Sequence, residues 1–390
     1  MPGSIYMDHN ATTPTDERVL DAMMPYLTER YGNPSSPYAI ADDAADALGA
    51  ARASVARVLG CEPREIIFTS GGTESDNLAL KGVLFAAPCG NRHLVTSAIE
   101  HHAVLSTARY LEERFDLDVT CLPVDPSGRV DPDDLGRALR DETVLVSIMH
   151  ANNETGVIQP IEAIARIARE RSVPMHTDAV QSVGKIPVDV ARLGVDMLSL
   201  SGHKLYGPKG VGALYIRGGL PIDALSHGGG HEFGLRSGTE NVAGIIGLAK
   251  ALELAVAEMD DESSRLRQLA ERLEDALLER IPGAFVNGRE AERLPGTVSV
   301  CFPGAEADGV VLALDLEGVA ASSGSACSTG SEAPSHVLLA MGLSPQVAQT
   351  SLRLSLGRGN TEGDVLRVLD ILPGIVERLR SLAPTRHLTG

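Results

Sequence analysis

Between residues 66 and 216 the chain repeats one pattern. A short apolar run is followed by a longer stretch in which apolar positions recur at helical spacing. The runs Ile66–Thr69, His93–Ser97, Val119–Pro123, Thr143–Met149, Val173–Thr177, Val195–Ser201 and Val211–Ile216 read as strands. Thr143–Met149 is nearly all apolar, as expected of a central strand covered on both faces. Glu74–Phe85, Ala103–Phe115 and Ile161–Arg171 read as helices. Repeated β–α units predict a mostly parallel central sheet with helices on both faces.

The flanks differ from this pattern. A first helix is expected with Thr13 as its cap and Pro14 at its first position, presenting Val19, Leu20, Met23 and Leu27 on one stripe. A loop at 31–37 ends it, and an alanine-rich helix follows to about Leu59. Near residue 258 two long helical patterns meet, and short strands (Thr297–Phe302, Ser351–Ser355) are then mixed with helices up to a last helix from about Thr361. The expected fold class is α/β: a large domain over 15–257 and a smaller α+β domain formed by 1–14 and 258–390.

Composition narrows the function classes. The 390 residues carry 52 acidic and 34 basic side chains, a net charge of −18 that disfavours nucleic acid and anionic lipid surfaces. With no Trp, 7 Tyr and 6 Phe, a stacking platform for single strands is not expected. The five cysteines (Cys61, Cys89, Cys121, Cys301, Cys327) are widely spaced and odd in number, with no C-x-x-C. This fits neither a disulfide framework nor a thiolate zinc site, and no metal ligand set is expected. The first residues lack the charged and apolar regions of a signal peptide, and no apolar run reaches membrane-spanning length. A cytoplasmic location is the expectation.

Three segments can carry chemistry. Thr69-Ser70-Gly71-Gly72-Thr73-Glu74-Ser75 links a strand to a helix, so its glycines and free N–H groups suit an anion, though it is neither a Walker A loop nor G-x-G-x-x-G. In Ser199–Gly210, Lys204 follows an apolar strand inside a constrained turn and is a candidate Schiff-base amine. Asp178 ends another strand on the same sheet edge. An amine and a carboxylate so placed match what pyridoxal phosphate (PLP) needs, an imine partner and an anion for the pyridinium nitrogen. In 321–331 every side chain around Cys327 is small, so this thiol has no apolar neighbours to make it a core residue, and a reactive role is favoured. Cys61, Cys89, Cys121 and Cys301 better fit ordinary buried thiols or turns.

Together these segments resemble the class I cysteine desulfurases of the iron–sulfur-cluster and nitrogen-fixation type, enzymes of PLP fold type I. The resemblance runs from Asp8 to Arg358 and also takes in Gly32-Asn33-Pro34-Ser35-Ser36, Glu100-His101-His102, Asn152-Asn153-Glu154, Arg236-Ser237-Gly238-Thr239 and Leu352–Arg358. It implies that Lys204 carries PLP, Asp178 pairs with the ring nitrogen, Gln181 lies near the ring phenolate oxygen and His101 stacks on the ring. Gly72, Thr73, Ser201 and His203 match phosphate contacts, and Thr239 a contact to the neighbouring subunit's phosphate, which implies a homodimer. Asn33, Asn152 and Arg353 match residues near the substrate carboxylate, and Cys327 the nucleophile that takes sulfur from L-cysteine, leaving L-alanine, for delivery to a protein sulfur acceptor. A selenocysteine lyase or another PLP-dependent lyase or aminotransferase relative is the alternative. Two departures stand out: Tyr38 where the family usually has His, and His9 before Asn10, both expected at the mouth of the substrate site.

Overall fold

The structure is a computed structural model that describes residues 4–88, 90, 92–323 and 333–382. Strand β1 (Ile5–Tyr6) leads to α1 (Glu17–Thr28) and α2 (Ala39–Leu59). The alternating section then runs β2 (Ile66–Thr69), α3 (Gly72–Ala86), β3 (Arg92–Ser97), α4 (His102–Phe115) and β4 (Leu117–Leu122). It continues with α5 (Pro132–Ala138), β5 (Thr143–Ser147), α6 (Ile161–Glu170), β6 (Met175–Asp178), α7 (Val190–Leu193), β7 (Met197–Ser201) and β8 (Gly212–Ile216).

Among the described residues, seven of these strands form one sheet in the order β2-β8-β7-β6-β5-β3-β4. Only β8 runs antiparallel to its neighbours. Both faces are apolar, and alternate residues of each strand go to opposite sides. Val95, Val146, Leu198 and Phe68 pack with α2, α6 and α8 (Val242–Ala257). Leu94, Leu145, Met197 and Ile67 pack with α3 and α4. This is the doubly covered, mostly parallel sheet expected from the sequence.

After α9 (Met259–Arg280), strands β9 (Phe285–Val286) and β10 (Thr297–Cys301) lead through α10 (Ala307–Leu316) to β11 (Val319–Ala320) and β12 (Ser322–Ser323). Then come α11 (His336–Ala340), α12 (Pro345–Ala348), β13 (Ser351–Ser355) and α13 (Glu362–Leu382). A second sheet, β12-β13-β10-β9, packs with α9, α10 and α13 around Val298, Val300, Phe302 and Leu354. The N-terminus is tied into this region. β1 pairs in parallel with β11, and Met7 is fully buried in the same core.

Two sequence expectations are corrected. Asp16, not Thr13, caps α1, its side chain accepting from the Arg18 N–H. Thr13 instead joins the Lys204 turn, donating its hydroxyl to the His203 carbonyl at 2.9 Å and accepting from the Tyr206 N–H at 2.8 Å. Cys121, expected in a buried strand, is exposed, because β4 lies at the sheet edge.

Candidate active site

Parallel strands deliver their C-terminal ends to one edge of the sheet, where an open α/β sheet forms its ligand crevice. Here that edge carries Thr69, Asp178 and Ser201, the last residues of β2, β6 and β7. A cavity of about 320 Å³ opens there. Its wall includes Gly72, Thr73, Asp76, His101, Asn153, Asp178, Gln181, Ser201, His203, Lys204 and Arg353. Residues far apart in sequence converge because most lie at a strand end, in the turn just beyond it or near a helix start at this edge, while Arg353 reaches in from the middle of β13.

One end of the cavity suits an anion. The α3 helix starts at Gly72 with Gly71 before it, and Gly71 has φ +150°, a conformation glycine adopts without strain. A Cβ on Gly72 would come within 2.6 Å of the Val180 side chain, so the helix start must be bare to lie this close to the β6 turn. The first N–H groups of this helix have no intrahelical partner and, with Thr73, Ser201 and His203, make a donor-rich pocket. Glu74 is held by Arg236 at 2.9 Å and by the Ser70 N–H at 2.8 Å, which ties the 236–239 segment to this helix start.

The floor is acidic and buried. Burial pushes the Asp178 carboxyl up to about 6, against a 2.9 Å hydrogen bond from the Val180 N–H and the Lys204 charge, which pull it down. Asp76 lies beside it, raised by burial and by the Asp178 charge, and its Oδ1 has no hydrogen-bond partner among the described residues. The Asp76 Oδ1 is 3.6 Å from His176 Nε2, whose ring is fully buried between Ser147 and Ser199. A buried carboxylate of this kind is stabilised by a cationic partner. His176, held down to about 3 by burial, is neutral and does not supply one, whereas the pyridinium nitrogen of PLP would.

Lys204 closes a short 3₁₀ turn (Gly202–Lys204) directly after β7, and its Nζ donates to the Asn10 and Ala11 carbonyls at 2.6 and 2.7 Å. His101 is the N-cap of α4, its Nδ1 accepting from the Ala103 N–H at 3.1 Å. Burial, then the Lys204 charge, hold its imidazole down to about 4. The ring is therefore neutral near pH 7, and with Nδ1 accepting, its proton is on Nε2. His203 is likewise held down to about 4, chiefly by burial, and its Nδ1 lies 3.1 Å from the Thr12 hydroxyl. Arg353, only 2 % exposed on β13, donates to the Asn153 carbonyl at 3.0 Å and to Asp8 at 2.7 Å. Its Nε has no partner among the described residues.

The expected residues Gly72, Thr73, His101, Asp178, Gln181, Ser201, His203, Lys204 and Arg353 therefore share one cavity. Three others do not reach it within this chain. Asn33 is exposed, its Oδ1 accepting from the Ser35 N–H. Thr239 is exposed. Asn152 is buried but holds its own turn, donating to the Ile99 carbonyl and accepting from the Glu154 and Thr155 N–H groups, so that Asn153 forms the wall instead. Cys327 lies outside the described residues. His9 is not at the mouth of the cavity. It is buried against Tyr6 and Tyr206, in a smaller void behind Lys204. Tyr38 is exposed at the start of α2. Sequence reasoning missed Asn10, Asp76 and Asn153. The adjacent polar residues in Asn152-Asn153-Glu154 were a signal, but nothing local showed which asparagine would face inward.

Beneath His101, Glu100 is fully buried. Burial pushes its carboxyl up to about 8, against hydrogen bonds from the Ser97 hydroxyl at 2.6 Å and the Met149 N–H at 2.9 Å. The folded state thus keeps a proton that the unfolded chain releases near the ordinary value of 4.5. Its contribution to stability is complete below 4.5 and is lost as pH rises through about 8. In Glu100→Gln this group stays neutral at every pH. The melting temperature of the wild type minus that of the variant is expected to fall across this window and then level off; a flat difference from pH 5 to about pH 9 would show that Glu100 stays ionised.

A cavity with a lysine after one strand, a buried carboxylate at the end of the next and an anion pocket at a helix start defines a PLP-dependent enzyme of fold type I. The aminotransferase class-V family profile matches residues 5–368. A cysteine desulfurase IscS of Methanosarcina thermophila is 52% identical over 381 residues, covering 98% of this chain and 94% of that protein. A solved structure described as a NifS-like protein superposes with a TM-score of 0.88 at 40% identity, covering 97% of this chain and 99% of that one. Another, described as SspA in complex with cysteine, has a TM-score of 0.81 at 40% identity, covering 90% and 99%. The chain belongs to the aminotransferase class-V family and, within it, to the class I cysteine desulfurases.

Proposed function

We propose that this protein removes sulfur from L-cysteine, releasing L-alanine and leaving a persulfide on Cys327 that a protein acceptor collects. The observation that carries this reading is the convergence of Lys204, Asp178, His101 and Arg353 on one cavity in a chain of desulfurase ancestry. A relative of the same family is described as bound to cysteine.

The donor set fits PLP: an amine, a buried carboxylate for the ring nitrogen, and hydroxyl and N–H donors for the phosphate. When bound, PLP supplies an electron sink for the pair released at the substrate Cα. Lys204 would hold the cofactor and, once freed, move the proton at Cα. Asp178 would keep the proton on the ring nitrogen, and that cationic partner would in turn lower its raised carboxyl pKa. Arg353 would bind the substrate carboxylate, exchanging or sharing its contact with Asp8. His101, with its proton on Nε2, would act as a neutral donor within the cavity.

Cys327 would attack the substrate sulfur as a thiolate. A sulfur–sulfur bond forms and the Cβ–sulfur bond breaks, with the electron pair passing to carbon and Cβ taking a proton. The net change is L-cysteine plus Cys327 thiol to L-alanine plus Cys327 persulfide. The geometry is that of thiol–disulfide exchange.

Two further features belong to this reading. Thr239 and Asn33 are exposed in one chain, and Arg236 holds the 236–239 segment to the phosphate end of the cavity. This supports a homodimer in which the partner completes each site. No described helix is long and apolar enough to cross a membrane, which accords with a cytoplasmic enzyme. The test is product stoichiometry: purified protein with L-cysteine and a thiol reductant should release alanine and sulfide in equal amounts, and sedimentation should show a dimer. Pyruvate and ammonia as products, or turnover of selenocysteine alone, would replace this reading.

A further inference from the structure

Lys185 takes no part in the steps above, yet it sits directly behind them. It lies in the turn beyond β6, four residues after Gln181, and its ammonium donates to Gln181 Oε1 at 2.9 Å and to Asn10 Oδ1 at 3.0 Å. Gln181 Nε2 donates to the Asn10 carbonyl at 2.9 Å. The same carbonyl receives the Lys204 ammonium at 2.6 Å. Asn10 is fixed from its other side, where its Nδ2 donates to Thr297 Oγ1 at 3.0 Å and its N–H to Ser355 Oγ at 2.9 Å.

With Lys185 protonated, this network has one consistent polarity. An ammonium has donors and no acceptor, so the amide end facing Lys185 must be Oε1. Nε2 therefore faces Asn10, and one of its two hydrogens remains for an acceptor in the cavity that Gln181 lines. Building on the proposed PLP chemistry, we propose that Lys185 is a positioning residue: it locks the Gln181 amide so that the cavity meets a donor, and it braces the Asn10 carbonyl on which Lys204 rests. Burial, with Lys204 and Arg353 nearby, pushes the Lys185 ammonium down to about 7.

The test uses four purified holoenzymes, wild type, Lys185→Met, Gln181→Leu and the double variant, with Lys185→Arg as the conservative control. The first readout is the midpoint pH at which the visible band of bound PLP converts. Without Lys185 the amide loses its fixed orientation, and the cofactor oxygen it serves loses a donor and becomes more basic. Lys185→Met should raise the midpoint by about one pH unit, the scale of a lost hydrogen bond to a charged oxygen. Lys185→Arg should stay within a few tenths of wild type. In the Gln181→Leu background, Lys185→Met should add little, because its effect passes through the amide. An equal shift in both backgrounds would show a bare charge effect and overturn the proposal, as would a Lys185→Met midpoint equal to wild type.

The second readout is the melting temperature of the same proteins stripped of cofactor. Non-additive changes are expected from Lys185→Met and Gln181→Leu, and additive ones would overturn the contact even if no band were seen. A wild type with no visible band but coupled stabilities would refute the proposed function and leave the Lys185–Gln181 lock standing.

Discussion

Lys204→Ala is expected to lower turnover by at least about 10⁴-fold, since one side chain both holds the cofactor and moves the Cα proton. Among the described residues no other amine is so placed. Lys185 donates to Asn10 Oδ1 and Gln181 Oε1, behind the cavity wall rather than on it. Borohydride treatment of the wild type should fix PLP to the peptide containing Lys204. A label on Lys185 or Lys209 would overturn the assignment. The variant also removes both donors from the Asn10 and Ala11 carbonyls. Its melting temperature should therefore be measured alongside, and inactivity with a near-normal melting temperature would locate the loss in chemistry.

Cys327→Ser should separate labilising the substrate from accepting its sulfur. The variant should keep its colour and still respond spectrally to L-cysteine, because the cavity residues that would hold cofactor and substrate, Lys204, Asp178, His101 and Arg353, are unchanged. Persulfide should vanish and alanine release should fall by about 10³-fold or more. A serine hydroxyl is un-ionised near neutral pH, whereas a thiol with pKa ~8.5 already supplies some thiolate. The other described thiols are poor substitutes. Burial pushes Cys61 up to about 12 and raises Cys301, and partial desolvation together with the Glu100 and Glu112 charges raises the otherwise exposed Cys121. Mass spectrometry of the 327 peptide after brief exposure to L-cysteine should show one added sulfur. Alanine release at the wild-type rate, or the added sulfur on another cysteine, would show that Cys327 is not the acceptor.

Much of the site was legible because it is local. Asp178 ends a strand, Lys204 closes the turn that follows one, and the Gly71-Gly72 turn opens a helix, so their sheet-edge position follows from the β–α pattern. Strands β2 and β13 fall at the boundaries read from the sequence, since each is a short run bounded by polar residues. The start of α1 was misread for an equally local reason. Thr13-Pro14 has the form of a cap, but a longer-range bond to the His203 carbonyl took the hydroxyl and left Asp16 to begin the helix.

By itself the sequence determined the alternating sheet, the sheet edge that carries the chemistry, and the family. These depend on residue type and periodicity, which short stretches of chain express without reference to distant partners. The tertiary structure alone decided which polar residues face the cavity. Asn152 and Asn153 are chemically identical, and their division of labour follows from the turn that captures the first. Likewise, Asn10 lies some 170 residues from Gln181 and nearly 200 from Lys204, yet one carbonyl receives both. Such contacts have no sequence signature, because a hydrogen bond depends on the distance and direction between atoms, and packing sets these only once the two sheets and the N-terminal segment have come together.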